Sequence, residues 1–299
     1  MFRNIVGLIA FSLHVINTLF WVLPIFFFAI LKAILPIAVL RKWFDLGLNG
    51  SASNWISCND FIINSTKTIQ WDVDLPDNLS TNDWYLVMAN HQSWVDILVL
   101  QNVFNRKIPF LKFFLKQQLI WVPVLGLAWW ALDFPFMKRY SKSYIKKNPH
   151  KKGKDFATTR KACEKFKTIP ISIMNFSEGT RFTEEKHQKQ QSPFKHLLKP
   201  KAGGIGYVLT LMGDEITKVL DVTIDYPKHH SPSFWDIMTG NLDHIIVKAK
   251  LIDIPQEAQG SYIESSEQRK KVQKWINELW NKKDQQLAQI RQNENYKGL

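Results

Sequence analysis

Between Ile5 and Leu40 the chain is almost uninterruptedly apolar, broken only by His14, Asn17, Lys32 and the prolines Pro24 and Pro36. A helix needs about 20 apolar residues to cross a bilayer. The stretch is therefore long enough for two short helices turning near Pro24, or for one tilted crossing with an interfacial tail. It is too long for the apolar core of a cleaved signal segment, which runs to about 15 residues. Arg3 precedes it and Arg41 and Lys42 follow it. Basic residues at both ends favour the hairpin, which returns both to the cytoplasmic side. The competing reading is a buried helical pair in a soluble protein, and the sparse charge of the stretch argues against it. Residues 1–42 are thus expected to form a membrane anchor of one or two helices, and residues 43–299 a single domain.

Beyond Leu40, short apolar runs alternate with helical periods, which is the pattern of an α/β domain. Trp84–Ala89 and Pro170–Phe176 read as buried strands, Lys107–Leu111 as a short one, and Val219–Asp225 and Ile245–Leu251 as two later strands. Asp96–Phe104, Asp155–Lys167 and Gly203–Gly213 read as helices. The charged tail from Glu264 to Gln292 places Val272, Trp275, Ile276, Leu279 and Trp280 at spacings of three and four, one apolar face of a C-terminal helix. The fold expected is a mostly parallel sheet flanked by helices, with a membrane-embedded helical segment in front.

The chain carries 39 Lys and Arg against 26 Asp and Glu, a formal charge of +13, so an extended partner would be anionic. The 12 Trp and 20 Phe lean toward a membrane interface rather than nucleic acid, because amphipathic rings lodge at headgroup depth. Lys138–Lys154 is a basic run without apolar periodicity and reads as a loop, either solvated or set against anionic headgroups. No zinc-finger or RNP pattern accompanies it, and no nucleic-acid partner is expected. The two cysteines, Cys58 and Cys163, show no metal-ligand spacing and read as reduced thiols; no metal is expected.

Two segments carry chemistry. Trp84–Ala89 runs into Asn90-His91-Gln92-Ser93-Trp94-Val95-Asp96, so His91 lies past the carboxyl end of a strand, where open α/β sheets place functional groups. In one continuous helix, five residues would turn His91 and Asp96 about 140° apart. A helix capped by Ser93 instead puts Asp96 in its first turn, with His91 on the incoming loop and free to fold over it. A carboxylate on one imidazole nitrogen leaves the other as a base toward a hydroxyl. Asp96 as a mere capping residue is the plainer alternative. Pro170–Phe176 ends in Ser177-Glu178-Gly179-Thr180-Arg181, where Gly179 permits a tight turn whose amides can face an anion. Arg181 offers a planar fork for phosphate, and Glu178 can orient it or accept from hydroxyls. An ordinary turn with a salt bridge is the plainer reading there.

Together the two segments resemble the motifs of the PlsC-like lysophosphatidic acid acyltransferase superfamily, His-x-x-x-x-Asp and Phe-Pro-Glu-Gly-Thr-Arg, over about Trp84 to Tyr226. The resemblance implies an α/β sheet domain and His91 as general base with Asp96 as its orienter. It implies Glu178, Gly179, Thr180 and Arg181 on the acceptor, with Arg181 on its phosphate. Lys116 matches the family's lysine before its second motif, and Arg139 in Asp133-Phe-Pro-Phe-Met-Lys-Arg matches that motif's arginine. Ser177 replaces the usual proline of the third motif, Asp133 stands near an expected glycine, and Asp221 replaces the proline of the fourth. The Phe-Met-Lys-Arg variant and the basic loop are closest to the YihG-type and lysocardiolipin branch.

The implied reaction moves a fatty acyl group from acyl-CoA or an acyl carrier protein to the free glycerol hydroxyl of a lysophospholipid such as lysophosphatidic acid. No cofactor is needed beyond that co-substrate, membrane lipids are the surroundings, and a bacterial inner membrane with the domain facing the cytoplasm is the location implied. The rival readings are an inactive, membrane-adsorbed lipid-binding protein and a hydrolase using Ser or Cys, for which the chain lacks a G-x-S-x-G elbow.

Overall fold

The computed structural model describes residues 2–292 apart from 36, 67, 139–146, 149–152, 228 and 230. Helix α1 runs unbroken from Phe2 to Ile34 with Pro24 inside it, and α2 follows over Ala38–Thr66. The break expected near Pro24 therefore comes later, after α1 ends at Ile34 and before α2 begins at Ala38; Leu35 precedes a proline in sequence, a position biased away from helical angles. α1 is long and apolar enough to cross a membrane. Its outer side exposes Phe2, Leu8, Ile16, Phe20, Leu23 and Ile30 among others.

Sequence pattern did not anticipate α2. Its stretch of Gly, Ser and Asn favours loops by propensity, yet Leu48, Ala52, Ile56 and Ile63 recur on one buried face. Packing against α1 outweighs that propensity. Asn17 donates to Asn59 Oδ1 at 2.8 Å and to the Trp55 carbonyl at 3.0 Å, so the facing polar groups of the two helices satisfy each other. The boundary expected at residue 42 falls inside α2.

A six-stranded sheet follows, ordered β1-β8-β7-β2-β6-β3 and parallel except between β7 and β8. Its strands are β1 Gln70–Asp74, β2 Tyr85–Ala89, β3 Leu111–Phe113, β6 Ser172–Phe176, β7 Lys218–Asp225 and β8 His244–Asp253, with β4 Leu115–Lys116 and β5 Phe136–Met137 paired separately. The strand expected at Lys107–Leu111 is displaced to Leu111–Phe113. Pro109 has no N–H to donate, and pairing with β6 begins only at Leu111. The helices are α3 Val95–Phe104, α4 Leu125–Ala131, α5 Lys154–Phe166, α6 Glu184–Gln190, α7 Gly203–Met212, α8 Phe234–Thr239 and α9 Ser266–Gln292.

Alternate residues of the central strands feed two cores. Tyr85, Val87 and Ala89 of β2 pack with α1, α2, α3 and α4, while Leu86 and Met88 join α5, α7 and α9 on the opposite face. A strand covered on both faces reads as a continuous apolar run, which is why β2 was legible. The basic loop expected at 138–154 lies largely outside the described residues.

Candidate active site

β2 and β6 are parallel neighbours with Ala89 opposite Phe176, so the segments after them leave the same edge of the sheet side by side. That register brings the two motifs together. His91 Nδ1 lies 2.8 Å from Asp96 Oδ2, which also accepts the Gln92 and Ser93 amides at 2.7 and 2.9 Å. The other oxygen of Asp96 accepts the Tyr226 hydroxyl at 2.6 Å. Asp96 is fully buried, whereas the His91 side chain keeps 12% exposure. Helix α3 starts at Val95, with the Ser93 hydroxyl accepting the Val95 amide. His91 thus stays on the loop and Asp96 in the first turn, the arrangement that permits their contact.

The imidazole is stacked on Phe176, ring centres 3.9 Å apart and planes 14° from parallel. Burial and the neighbouring Asp96 and Asp225 charges hold the Tyr226 phenol well above its ordinary range, so it remains a donor to Asp96.

A cleft of about 170 Å³ is lined by His91, Trp94, Lys116, Phe176, Gly179, Thr180 and Arg181. Both motifs therefore face one space. The Arg181 guanidinium sits 5.0 Å above the Trp94 ring, which fixes the fork without spending its N–H groups. Lys116, at the end of β4, is exposed on the cleft wall. Arg139 lies outside the described residues.

Glu178 takes a different position from the one expected. Only 1% exposed, it accepts the His91 amide at 3.0 Å through one oxygen and the Leu198 amide at 3.1 Å through the other. It ties the His91 loop to the second motif instead of facing the cleft. Burial pushes its carboxyl up to about 8, against the pull of those two amides.

The amides around Gly179 are also partly committed. Gly179 adopts φ 70°, and its N–H closes a turn on the Phe176 carbonyl at 2.9 Å. The Phe182 amide bonds the His91 carbonyl at 2.7 Å. Two side chains that the hydrolytic rival could call on are enclosed: Ser177 is 1% exposed, and burial pushes the Cys163 thiol up to about 12.

Asn90, Gln92 and Tyr226 were missed from the sequence. The Asn90 side chain pairs with both backbone groups of Ile224 at 2.9 Å, and Gln92 Nε2 donates to the Ile224 carbonyl at 2.7 Å. Their signal is positional: Tyr226 directly follows β7, the strand flanking β2 on its other side. Asp221, where the resembled motif has proline, pairs with the buried Lys283 of α9 at 2.8 Å.

A family model described as Acyltransferase matches residues 70–224. Among curated proteins, the chain is 24% identical over 214 residues to the mouse 1-acyl-sn-glycerol-3-phosphate acyltransferase delta and equally to the human gamma form. Those matches cover 67% of this chain and 51% of each relative, so the chain spans about half the length of the curated relatives it matches. Among solved structures, that of the 1-acyl-sn-glycerophosphate (LPA) acyltransferase PlsC from Thermotoga maritima superposes with a TM-score of 0.50 at 16% identity. That superposition covers 92% of this chain and 98% of the other, a likeness of fold.

Proposed function

The chain belongs to the Acyltransferase family, and from that membership we propose that it transfers a fatty acyl group from acyl-CoA or acyl carrier protein to the free glycerol hydroxyl of a lysophospholipid such as lysophosphatidic acid. The observation that carries the reading is the 2.8 Å contact between His91 Nδ1 and Asp96 on the wall of a cleft shared with Arg181 and Lys116. With Nδ1 committed to the carboxylate, Nε2 is the basic nitrogen. It takes the proton of the glycerol hydroxyl as that oxygen attacks the thioester carbonyl carbon. The tetrahedral adduct collapses, the carbon–sulfur bond breaks, and the proton passes from imidazolium to the departing thiolate. Asp96 stabilises the imidazolium in between.

Arg181 fits the acceptor phosphate through its planar fork, and Lys116 in the same cleft adds a second positive charge. The apolar outer face of α1 supports a membrane-held protein whose acceptor is a lipid. Purified protein offered a panel of lysophospholipids with labelled oleoyl-CoA should form the diacyl product, followed by mass spectrometry. His91→Ala should lower turnover by about 10²–10⁴, the range for a positioned base. Normal turnover in that variant would remove His91 from the mechanism. Lipid binding without transfer by the unaltered chain would favour the inactive, lipid-binding alternative.

A further inference from the structure

Helix α9 lies along β7 in a fixed register. Lys283, whose side chain is fully buried, reaches Asp221 Oδ1 at 2.8 Å and the Val222 carbonyl at 2.6 Å. Eight residues later, Arg291 grips Asp225 with three contacts: Nη2 to Oδ1 at 2.6 Å, and Nε to Oδ1 and Oδ2 at 3.3 and 3.2 Å. Eight residues of helix at about 1.5 Å each span about 12 Å. Four residues of strand at about 3.3 Å span about 13 Å. The first ion pair therefore dictates the second, and the helix delivers a guanidinium to the last residue of β7.

Asp225 is fully buried, and its Oδ1 also accepts Gln92 Nε2 at 3.1 Å. The backbone amide of the same Gln92 donates at 2.7 Å to Asp96 Oδ2, the oxygen that holds His91. Gln92 thus has one end on each carboxylate. The Ser231 hydroxyl donates to its carbonyl at 3.0 Å, so the residue is held on three sides.

We infer that Arg291 is a positioning residue for the His91–Asp96 pair, acting through Asp225 and Gln92 across the end of β7. The inference deepens the proposed acyl transfer and rests on that reading. Removing the guanidinium takes away the fork that holds Asp225, and the Gln92 side chain that donates to the same carboxylate can then shift with it. The Gln92 amide then no longer pins the Asp96 oxygen that orients the base. Misplacement of a catalytic group by about 1 Å can cost about 100-fold in rate.

The full chain in detergent is assayed with lysophosphatidic acid and labelled oleoyl-CoA, and rates are normalised to folded protein. Arg291→Met should lower kcat about 10- to 100-fold, with KM for both substrates within about twofold, and Arg291→Lys should fall between. Combined with Asp96→Asn, Arg291→Met should cause no further loss, because residues acting through one group are not additive. Unchanged kcat, or the same fold-loss in the Asp96→Asn background, overturns the inference. If Arg291→Met does not fold, Asp225→Asn with Arg291→Met removes both sides of the bridge and is judged by the same two criteria. A readout independent of turnover is the ¹⁵N spectrum of His91. It should show one tautomer, protonated on Nδ1, in the unaltered chain and a mixture in the variant. A single tautomer retained in the variant defeats the inference, whereas a mixture in a chain that transfers nothing refutes only the proposed reaction.

Discussion

Replacing Tyr226 by Phe isolates one hydrogen bond at the centre of the site. The ring and its packing stay, and the hydroxyl that donates to Asp96 Oδ1 at 2.6 Å is removed. Asp96 and Tyr226 are both 0% exposed, so water does not readily take the vacated place. A hydrogen bond to a buried charged group contributes about 1.5–3 kcal/mol. In a protein of this size each kcal/mol moves the melting temperature by about 2–4 °C, giving an expected drop of about 3–12 °C. The effect on catalysis should be smaller. Oδ2 keeps its His91, Gln92 and Ser93 donors, so the His91–Asp96 pair stays assembled. We expect kcat to fall by less than about tenfold, against the loss of 10² or more for His91→Ala. Thermal unfolding followed by tryptophan fluorescence in one detergent, with steady-state transfer on the same samples, measures both. A variant melting within 1 °C of the unaltered chain would show that the hydroxyl does not support the carboxylate, and the account of Asp96 as a fully satisfied buried anion would fail.

Two further outcomes follow from the same coordinates. The Glu178 carboxyl is raised to about 8 from an ordinary 4.5, so the folded state holds this proton more tightly than the unfolded chain. The stability it confers is fully present below about 4.5 and is lost as pH rises to about 8. Glu178→Gln cannot ionise and should flatten melting temperature against pH across that window; parallel curves would show that Glu178 does not titrate there. A methyl group at Gly126 would overlap the Ile120 carbonyl, which is backbone and cannot swing away. Gly126→Ala should therefore cost about 2 kcal/mol or more and loosen the segment that carries Lys116. A melting temperature equal to that of the parent would contradict this.

Central strands were legible in the sequence because β2, β6 and β7 are covered on both faces, which leaves few polar interruptions. His91 and Asp96 were legible because a strand's carboxyl end and a helix's first turn fix where each side chain can go. α2 was not, since a run such as Gly47-Leu48-Asn49-Gly50-Ser51 is helical only through contacts with α1, which are remote in sequence. Glu178 was assigned to the acceptor for a related reason. A glutamate beside Gly-Thr-Arg looks free to meet a ligand, and nothing local reveals that the His91 and Leu198 amides claim both its oxygens. Tyr226 and Arg291 escaped because their roles depend on β7 lying beside β2 and on the register of α9 along it.

If the proposed transfer runs with the protein held in a bilayer or micelle by the outward row of α1, it meets its lipid acceptor by sliding within a plane. Crowding in that plane, set by moles of lysolipid per mole of total amphiphile, then governs the encounter rate. Doubling the inert detergent at constant lysolipid molarity should roughly halve a subsaturated rate, while dilution with buffer should leave the acceptor term untouched. Under that proposal, a rate law written in bulk concentration would miss the quantity that governs the reaction.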